Sequence, residues 1–488
     1  MQEAPLGKYS QVFLSSQLGS KASLAYSERR KRLLENLSSL CLFSGVERSP
    51  GTEHVWAYHA DRRIQDPAVL FLTGINQAGV FLALDPLATD PADREILFLP
   101  ERDPSREFWD GTMLGLVRGA GEPASLAEMQ ALTGFTQIKP ARVFWVWLRN
   151  RLPKIRRNHI FAFWHDYTDP ISQTHLSNKT DHNWQFQLKV SSLLKRVCPM
   201  AELRSVASLH MHLRIPLDRA RIQMVRVAEA ATLQAFASVL RNLATLSNER
   251  EVQALIDSEM RRQSDDGLAF PTIVACGDNA CTLHYSKCDE PLQAGRLLLL
   301  DFGVRVGSLC SDVSRTIPVG GVFNPLQRLL YQIVLDTQAF HQGNIRPGLT
   351  IRELNVIAWN HLEDLLRTRF LAKGGQMRRQ YPRLPSNPED PRRPTSLGPH
   401  GISHLIGEQV HEGDPFRIYQ DQPLRPGMLI SNEPGLYGQF VAVFNGVRYE
   451  ETIGIRIEDD LLVTARGCQN LSQGIPKDPD ELEALLNP

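Results

Sequence analysis

The sequence predicts an α+β protein: an N-terminal α/β domain followed by a C-terminal domain of helices paired with long antiparallel strands. Three observations predict it. The chain has 488 residues, too many for one ordinary core, so two domains are expected. Its texture changes around Leu213 to Pro216, from short apolar runs punctuated by Gly, Pro and Asp to long amphipathic helix patterns. Beyond that boundary, a buried-strand run ending on Asp301 is answered after a turn by a second run reaching Pro318, the pattern of antiparallel partners rather than βαβ units. The expected division is residues 1–213, residues 217–472 with a Pro-rich insertion at 373–399, and a tail at 473–488.

Residues 23–36, SLAYSERRKRLLEN, predict a helix with its basic residues outward and Leu33 and Leu34 inward. CLFSG then predicts a strand, and PAVLFLTG, VFLALDP and ILFLP follow as short apolar runs of the same kind. SREFWDGTMLG separates this sheet region from a helical stretch at 125–132, and residues 140–200 alternate basic helices with runs such as HIFAFW. The histidines here, His54, His59, His159, His165, His175 and His182, are dispersed and form no catalytic set. Past the boundary, Ile222, Val225, Ala228, Leu233, Phe236 and Leu240 recur at helical spacing over 218–243. Asn248 with Glu251 predicts a capping box for a second helix, closed by Gly267. Asn324 and Pro325 open a third helix, and Thr350 with Glu353 a fourth that runs to about Leu371. Pro382, Pro385, Pro388, Pro391, Pro394 and Pro399 forbid regular structure in the 373–399 segment, where six Lys and Arg outnumber two acids. It reads as a solvated surface loop or as a loop at the mouth of a site, since histidines follow directly.

The chemistry-bearing residues lie in the C-terminal half. The stretch from His284 to Pro318 carries the LLLL run that ends on Asp301 and, after a turn through Val306 and Gly307, a second carboxylate at Asp312. Two buried charges need compensation, which a hard divalent cation supplies. A hairpin with an Asp at each rim is the other reading. HGISH (400–404), followed by His411, has the i, i+4 histidine spacing of a zinc-binding helix, but Gly401 stands where that motif has glutamate. Glycine followed by a β-branched isoleucine opens a helix poorly, so a strand or loop is expected there. PGMLISNEPGLY (426–437) ends a strand on Glu433 before a Pro-Gly turn. In GIRIEDD the period of two puts Gly454, Arg456 and Glu458 on one face and Ile455 and Ile457 on the other, so the first face lines a polar cavity or meets solvent.

Taken together, Asp301, Asp312, His404, Glu433 and Glu458 match in order the five metal ligands of the creatinase/methionine-aminopeptidase superfamily, the pita-bread metallopeptidases. IVACGDNACTLHY, LLLLDFGVRVGSLCSDVSRTIPV, HGISHLIG, LISNEPGLY and GIRIEDDLLVT resemble aminopeptidase P. RRKRLLENL, FLTGIN and SREFWDGTMLG are similar to that family's N-terminal domain, and PKDPDELEALL to its C-terminal tail. The resemblance covers nearly the whole chain and departs locally, in the Pro-rich segment and between His411 and Pro426. It implies a pita-bread catalytic domain whose two divalent ions, manganese foremost, share a bridging hydroxide. Zinc, cobalt or iron are alternatives for an oxygen-rich site. Asp312 and Glu458 would bridge the ions, Asp301 would hold one, and His404 with Glu433 the other, Glu433 also moving a proton. His284, His400 and His411 match histidines that face substrate or support the site, Arg456 and Tyr437 match supporting residues, and Trp109 matches an aromatic that meets a neighbouring subunit's site.

The implied reaction is hydrolysis of the bond between an N-terminal residue and a following proline, in peptides with proline at the second position. A dipeptidase for Xaa-Pro (prolidase) is the near alternative. A non-catalytic peptide- or protein-binding scaffold on the same fold is the alternative of another class, disfavoured because all five ligand positions are intact. A methionine aminopeptidase lacks the large N-terminal domain, and creatinase does not keep the ligands. Composition agrees with a globular enzyme: 42% hydrophobic, 22% charged, with 54 basic and 54 acidic residues. No net field recruits nucleic acid or a membrane surface, and no apolar run approaches the ~18 residues of a membrane span. The first 16 residues lack a signal peptide's basic start and apolar core. Seven scattered cysteines with no C-x-x-C pair predict reduced thiols in a cytoplasmic protein, and the spacing of Cys276, Cys281 and Cys288 fits no zinc pattern. A homodimer or homotetramer is expected from the resemblance.

Overall fold

The structure is a computed structural model that describes residues 22–46, 65–119, 122–155, 157–164, 182–264, 266–380, 399–413 and 417–487. The N-terminal 16 residues, His54, His59, His165, His175 and the prolines from Pro382 to Pro394 lie outside the described residues. The chain divides into two compact units, residues 1–214 and 215–488.

The first unit carries α1 (Ala22–Asn36), β1 (Cys41–Ser44), α2 (Pro67–Thr73), β2 (Phe81–Leu84), β3 (Glu95–Leu99), α3 (Pro104–Asp110), α4 (Glu122–Thr133), β4 (Gln137–Pro140), α5 (Phe144–Arg151), β5 (His159–Ala162), α6 (His182–Val197), β6 (Glu202–Ser205) and α7 (Ala207–Arg214). Its strands form one mixed sheet in the order β4-β3-β2-β1-β5-β6, antiparallel at β1–β2 and β2–β3 and parallel elsewhere. Phe81, Phe98, Phe144 and Phe186 pack under it, Phe81 stacked on Phe144 at 4.3 Å between centroids. One apolar run expected to resemble its strand neighbours is helical. In PAVLFLT, Asp66 caps the helix by accepting from Ala68 N, Pro67 takes the first turn, and Gly74 ends it at φ 71°. Six of its seven residues are buried, so no polar face betrays a helical period.

The second unit opens with α8 (Arg219–Asn242) and α9 (Glu249–Gln263), then β7 (Ile273–Cys276), β8 (Leu297–Phe302), β9 (Arg305–Val306), β10 (Leu309–Cys310), β11 (Val313–Pro318), α10 (Pro325–Asn344) and α11 (Ile351–Leu365). It continues with β12 (Gln376–Gln380), β13 (Leu405–Ile406), β14 (Leu429–Asn432), β15 (Gly435–Phe444), β16 (Val447–Arg456), β17 (Asp459–Val463), β18 (Cys468–Asn470) and α12 (Pro479–Leu486). The sheets are β11-β8-β7, β12-β15-β16 and β13-β14-β17-β18, antiparallel throughout, with β9 and β10 as a small hairpin. Mixed helices and antiparallel sheets make this unit α+β, as the sequence predicts.

Helix starts follow the sequence and other details depart from it. Asn324 and Thr350 complete reciprocal capping boxes with Gln327 and Glu353. At Asn248 the box is only half made: Asn248 accepts from Glu251 N, but the Glu251 carboxylate turns to Ser247. That helix ends at Ser264, before Gly267. The fourth helix passes through a wider π turn at Leu366–Phe370. The 373–399 segment is not wholly irregular, because Gln376–Gln380 pairs with β15 before the prolines begin. No turn forms at Pro434–Gly435; the chain leaves β14 and enters β15, a strand of another sheet.

Candidate metal centre

Asp301 sits near the end of β8, opposite Ser314 of β11, and Asp312 immediately precedes β11. The two segments come together because residue 303 is glycine: a Cβ there would lie 2.0 Å from the Ser311 carbonyl oxygen. His404 leads into β13 and is locked to β14 by two hydrogen bonds, His404 N to Ser431 Oγ at 3.0 Å and Ser431 N to the His404 carbonyl at 2.9 Å. Glu433 follows β14, and Glu458 lies in the short link between β16 and β17. HGISH is a loop, as its glycine predicts.

These elements bring the ligating atoms of Asp312, His404 and Glu458 within 4.8 Å of one another. His404 Nε2 lies 3.3 Å from Glu433 Oε1, 3.5 Å from Asp312 Oδ2 and 4.0 Å from Glu458 Oε1. Asp301 joins through Arg456, whose Nη2 donates to Asp301 Oδ2 at 2.6 Å. The same guanidinium donates to Ser314 Oγ at 2.8 Å and Tyr437 Oη at 3.2 Å, and Ser314 donates to Glu458 Oε2 at 2.7 Å. The Arg456 and Glu458 face thus lines a buried polar site and does not meet solvent.

Four carboxyl groups crowd this interior. Burial first, then the charges of Asp301 and Glu433, push Asp312 well above the usual carboxylate range. Burial with Glu458 raises Glu433, and burial with Asp312 and Asp301 raises Glu458. Burial opposes the Arg456 charge, but Tyr437 and the acids outweigh it and hold the guanidinium charged. Asp301 Oδ1 and Glu458 Oε1 are buried with no hydrogen-bond partner. A set of hard oxygen donors with orphaned acceptors and one imidazole fits divalent cations.

The other predicted residues fall in three classes. His400 hydrogen-bonds Tyr437 Oη through Nε2 at 3.0 Å and the Gly401 carbonyl through Nδ1 at 2.7 Å, and burial with Arg456 lowers its pKa to about 3, so it is neutral. His411 is exposed and stacks on His404 with centroids 3.9 Å apart and planes 11° from parallel. His284 is exposed and lies near His400. Trp109 belongs to α3 in the first unit, and its side chain lies outside the described residues.

Sequence reasoning missed the residues that hold these candidate ligands. Ser314 and Thr316 continue the period of two from Asp312 and contact Glu458 and the Arg456 backbone, a signal the strand pattern contained. Asp460 continues the period of two from Glu458 in the same way, whereas Asn355, Trp359 and His341 carried none. Asn355 accepts from the backbone of Ile402 and Ser403, Trp359 donates to the His400 carbonyl, and Asp460 Oδ2 accepts from Asp312 N at 3.1 Å.

The model of metallopeptidase family M24 matches residues 223–465, and that of the aminopeptidase P N-terminal domain matches residues 26–146. The chain is 30% identical over 432 residues to Xaa-Pro aminopeptidase 3 of Rattus norvegicus, covering 87% of this chain and 76% of the rat protein. It is 27% identical over 467 residues to Xaa-Pro aminopeptidase of Haemophilus influenzae, covering 95% and 97%. Its fold matches aminopeptidase P of Escherichia coli, solved with the inhibitor Pro-Leu, at a TM-score of 0.70 and 23% identity over 96% of this chain and 98% of that one.

Proposed function

The chain belongs to metallopeptidase family M24, in its aminopeptidase P group, and from that premise we propose that it is a metallo-aminopeptidase that removes an N-terminal residue preceding proline. The observation that carries this is the convergence of Asp312, His404 and Glu458, together with buried oxygens of Asp301 and Glu458 that have no hydrogen-bond partner. Asp301, Asp312, His404, Glu433 and Glu458 are proposed to hold two divalent ions, with manganese suited to so oxygen-rich a set. When bound, the ions lower the pKa of a water and polarise the scissile carbonyl.

The chain's own groups divide the remaining work. Glu433, half-buried and with its pKa raised, accepts a proton during attack and returns it to the prolyl nitrogen as the bond breaks. Arg456 fixes the Asp301 carboxylate and ties it to Tyr437 and Ser314. His400, neutral and engaged at both nitrogens, orients the Tyr437 hydroxyl. His411 and His284, both exposed, are left to meet the substrate carbonyl and the proline ring. A proline amide has no N–H and a fixed ring, so shape and carbonyl contacts carry recognition.

The seven free cysteines support a reducing, cytoplasmic setting, and no helix among the described residues is long and apolar enough to cross a membrane. A homodimer or homotetramer, with Trp109 reaching a neighbour, belongs to the same proposal. Sedimentation of the active enzyme as a monomer would remove it.

The test uses metal-stripped protein with manganese restored, an Xaa-Pro-Yaa tripeptide and an Xaa-Pro dipeptide side by side, and mass spectrometry of the products. Release of the first residue from the tripeptide is expected. Cleavage of the dipeptide alone would make the enzyme a dipeptidase, and cleavage of neither without metal uptake would make it a scaffold.

A further inference from the structure

The loop that carries His411 is anchored by a buried ion pair remote in sequence. Arg221, in the first turn of α8, donates from Nη2 to Glu408 Oε2 at 2.5 Å, and both side chains are 1% exposed. Arg221 also reaches the Pro216 carbonyl at 3.4 Å. Glu408 stands in the tight return between β13 and His411. There Gly407 N donates to the Gln409 carbonyl at 3.0 Å, Cys310 N to the Gly407 carbonyl at 2.9 Å, and Glu412 N to the Leu405 carbonyl at 2.7 Å. A Cβ at Gly407 would lie 2.6 Å from Glu412 Oε2, so a side chain there would displace the Glu412 carboxylate. The return ends with the His411 ring stacked on His404.

A buried ion pair adds little stability over an apolar pair of the same volume, because desolvation offsets the attraction. What it supplies is a fixed direction between two elements. His404 does not need it, being held by Ser431 from both sides. We infer that Arg221 and Glu408 are positioning residues that set His411 against His404. Where activity is the readout, the inference rests on the function proposed above.

The decisive variant replaces both charges with methionine, Arg221→Met with Glu408→Met. Its thermal stability is expected to stay within a few degrees of the parent, and its metal content to be unchanged. Its kcat/KM on an Xaa-Pro-Yaa tripeptide is expected to fall about tenfold, the lower end of the loss for residues that orient a site. In a His411→Ala background the same double change should cost nothing further, because both act through one group. Independently of activity, the imidazole Cε1–H NMR resonance that disappears in His411→Ala should shift in the double variant. If that variant fails to fold, Arg221→Lys, which keeps the charge but not the fork, should give the same resonance shift and a smaller loss that His411→Ala again abolishes. An unmoved resonance overturns the inference, as does a loss that multiplies with that of His411→Ala. Inactivity of the parent on the tripeptide would sink the proposed function and leave the NMR outcome to decide the inference.

Discussion

At the scale of single residues, the site depends on the side chains that hold the proposed ligands as much as on those ligands. Arg456 spans Asp301, Ser314 and Tyr437 with one planar group, a geometry lysine cannot reproduce. Arg456→Lys is therefore expected to lower kcat by about 10- to 100-fold, with a smaller change in KM, in steady-state assays on a tripeptide. His341 makes a pH-dependent contribution. It is fully buried between Asn432 and Ser403, and burial lowers its pKa to about 4. Unfolded, it titrates near 6.5, so between these values the unfolded chain binds the extra proton. Its stabilising effect is present above about pH 6.5 and is lost as pH falls toward 4. Urea unfolding of metal-free protein should show a loss of stability from pH 7.5 to 5 that is smaller in His341→Gln. An equal loss in both would refute the assignment.

At the scale of elements, legibility followed how local each signal is. The caps at Asn324 and Thr350, the strand that carries Asp301 near its end and the non-helical HGISH loop were readable because neighbouring residues determine them. The helix at Pro67–Thr73 was not, since burial on nearly all sides erased its period, although Asp66, Pro67 and Gly74 marked its ends. Nor was β12, whose pairing partner β15 lies some 60 residues on. In the site, the five proposed ligand positions came from the resemblance, and the structure brings Asp312, His404, Glu433 and Glu458 together, whereas Asn355 and Asp460 act only once distant strands and helices meet. The link between β8 and β11 carries a prediction of its own. Gly303→Ala forces a Cβ against the Ser311 carbonyl, backbone on both sides. It should destabilise the protein by about 1–3 kcal/mol or more and reduce metal content, read by chemical denaturation and elemental analysis. Unchanged metal and stability would mean that this approach does not set the Asp301–Asp312 geometry.

At the scale of the whole molecule, two units of different texture share one chain, and the proposed ligands all lie in residues 215–488. Metal binding should therefore stabilise that unit alone. Calorimetry of stripped protein is expected to show a transition that rises on restoring manganese, by about 2.7 kcal/mol at a free concentration one hundred times Kd. A transition from the first unit should stay in place. The central claim, that Asp301, Asp312, His404, Glu433 and Glu458 form a two-ion centre for cleaving Xaa-Pro bonds, has a more direct test. Stripped protein is titrated with manganese while bound equivalents and release of the first residue from an Xaa-Pro-Yaa tripeptide are followed together, in the parent and in Asp312→Asn. Activity is expected to saturate as the second equivalent binds, and Asp312→Asn to lose both uptake and activity. Full activity in the stripped enzyme, or in Asp312→Asn, would contradict it.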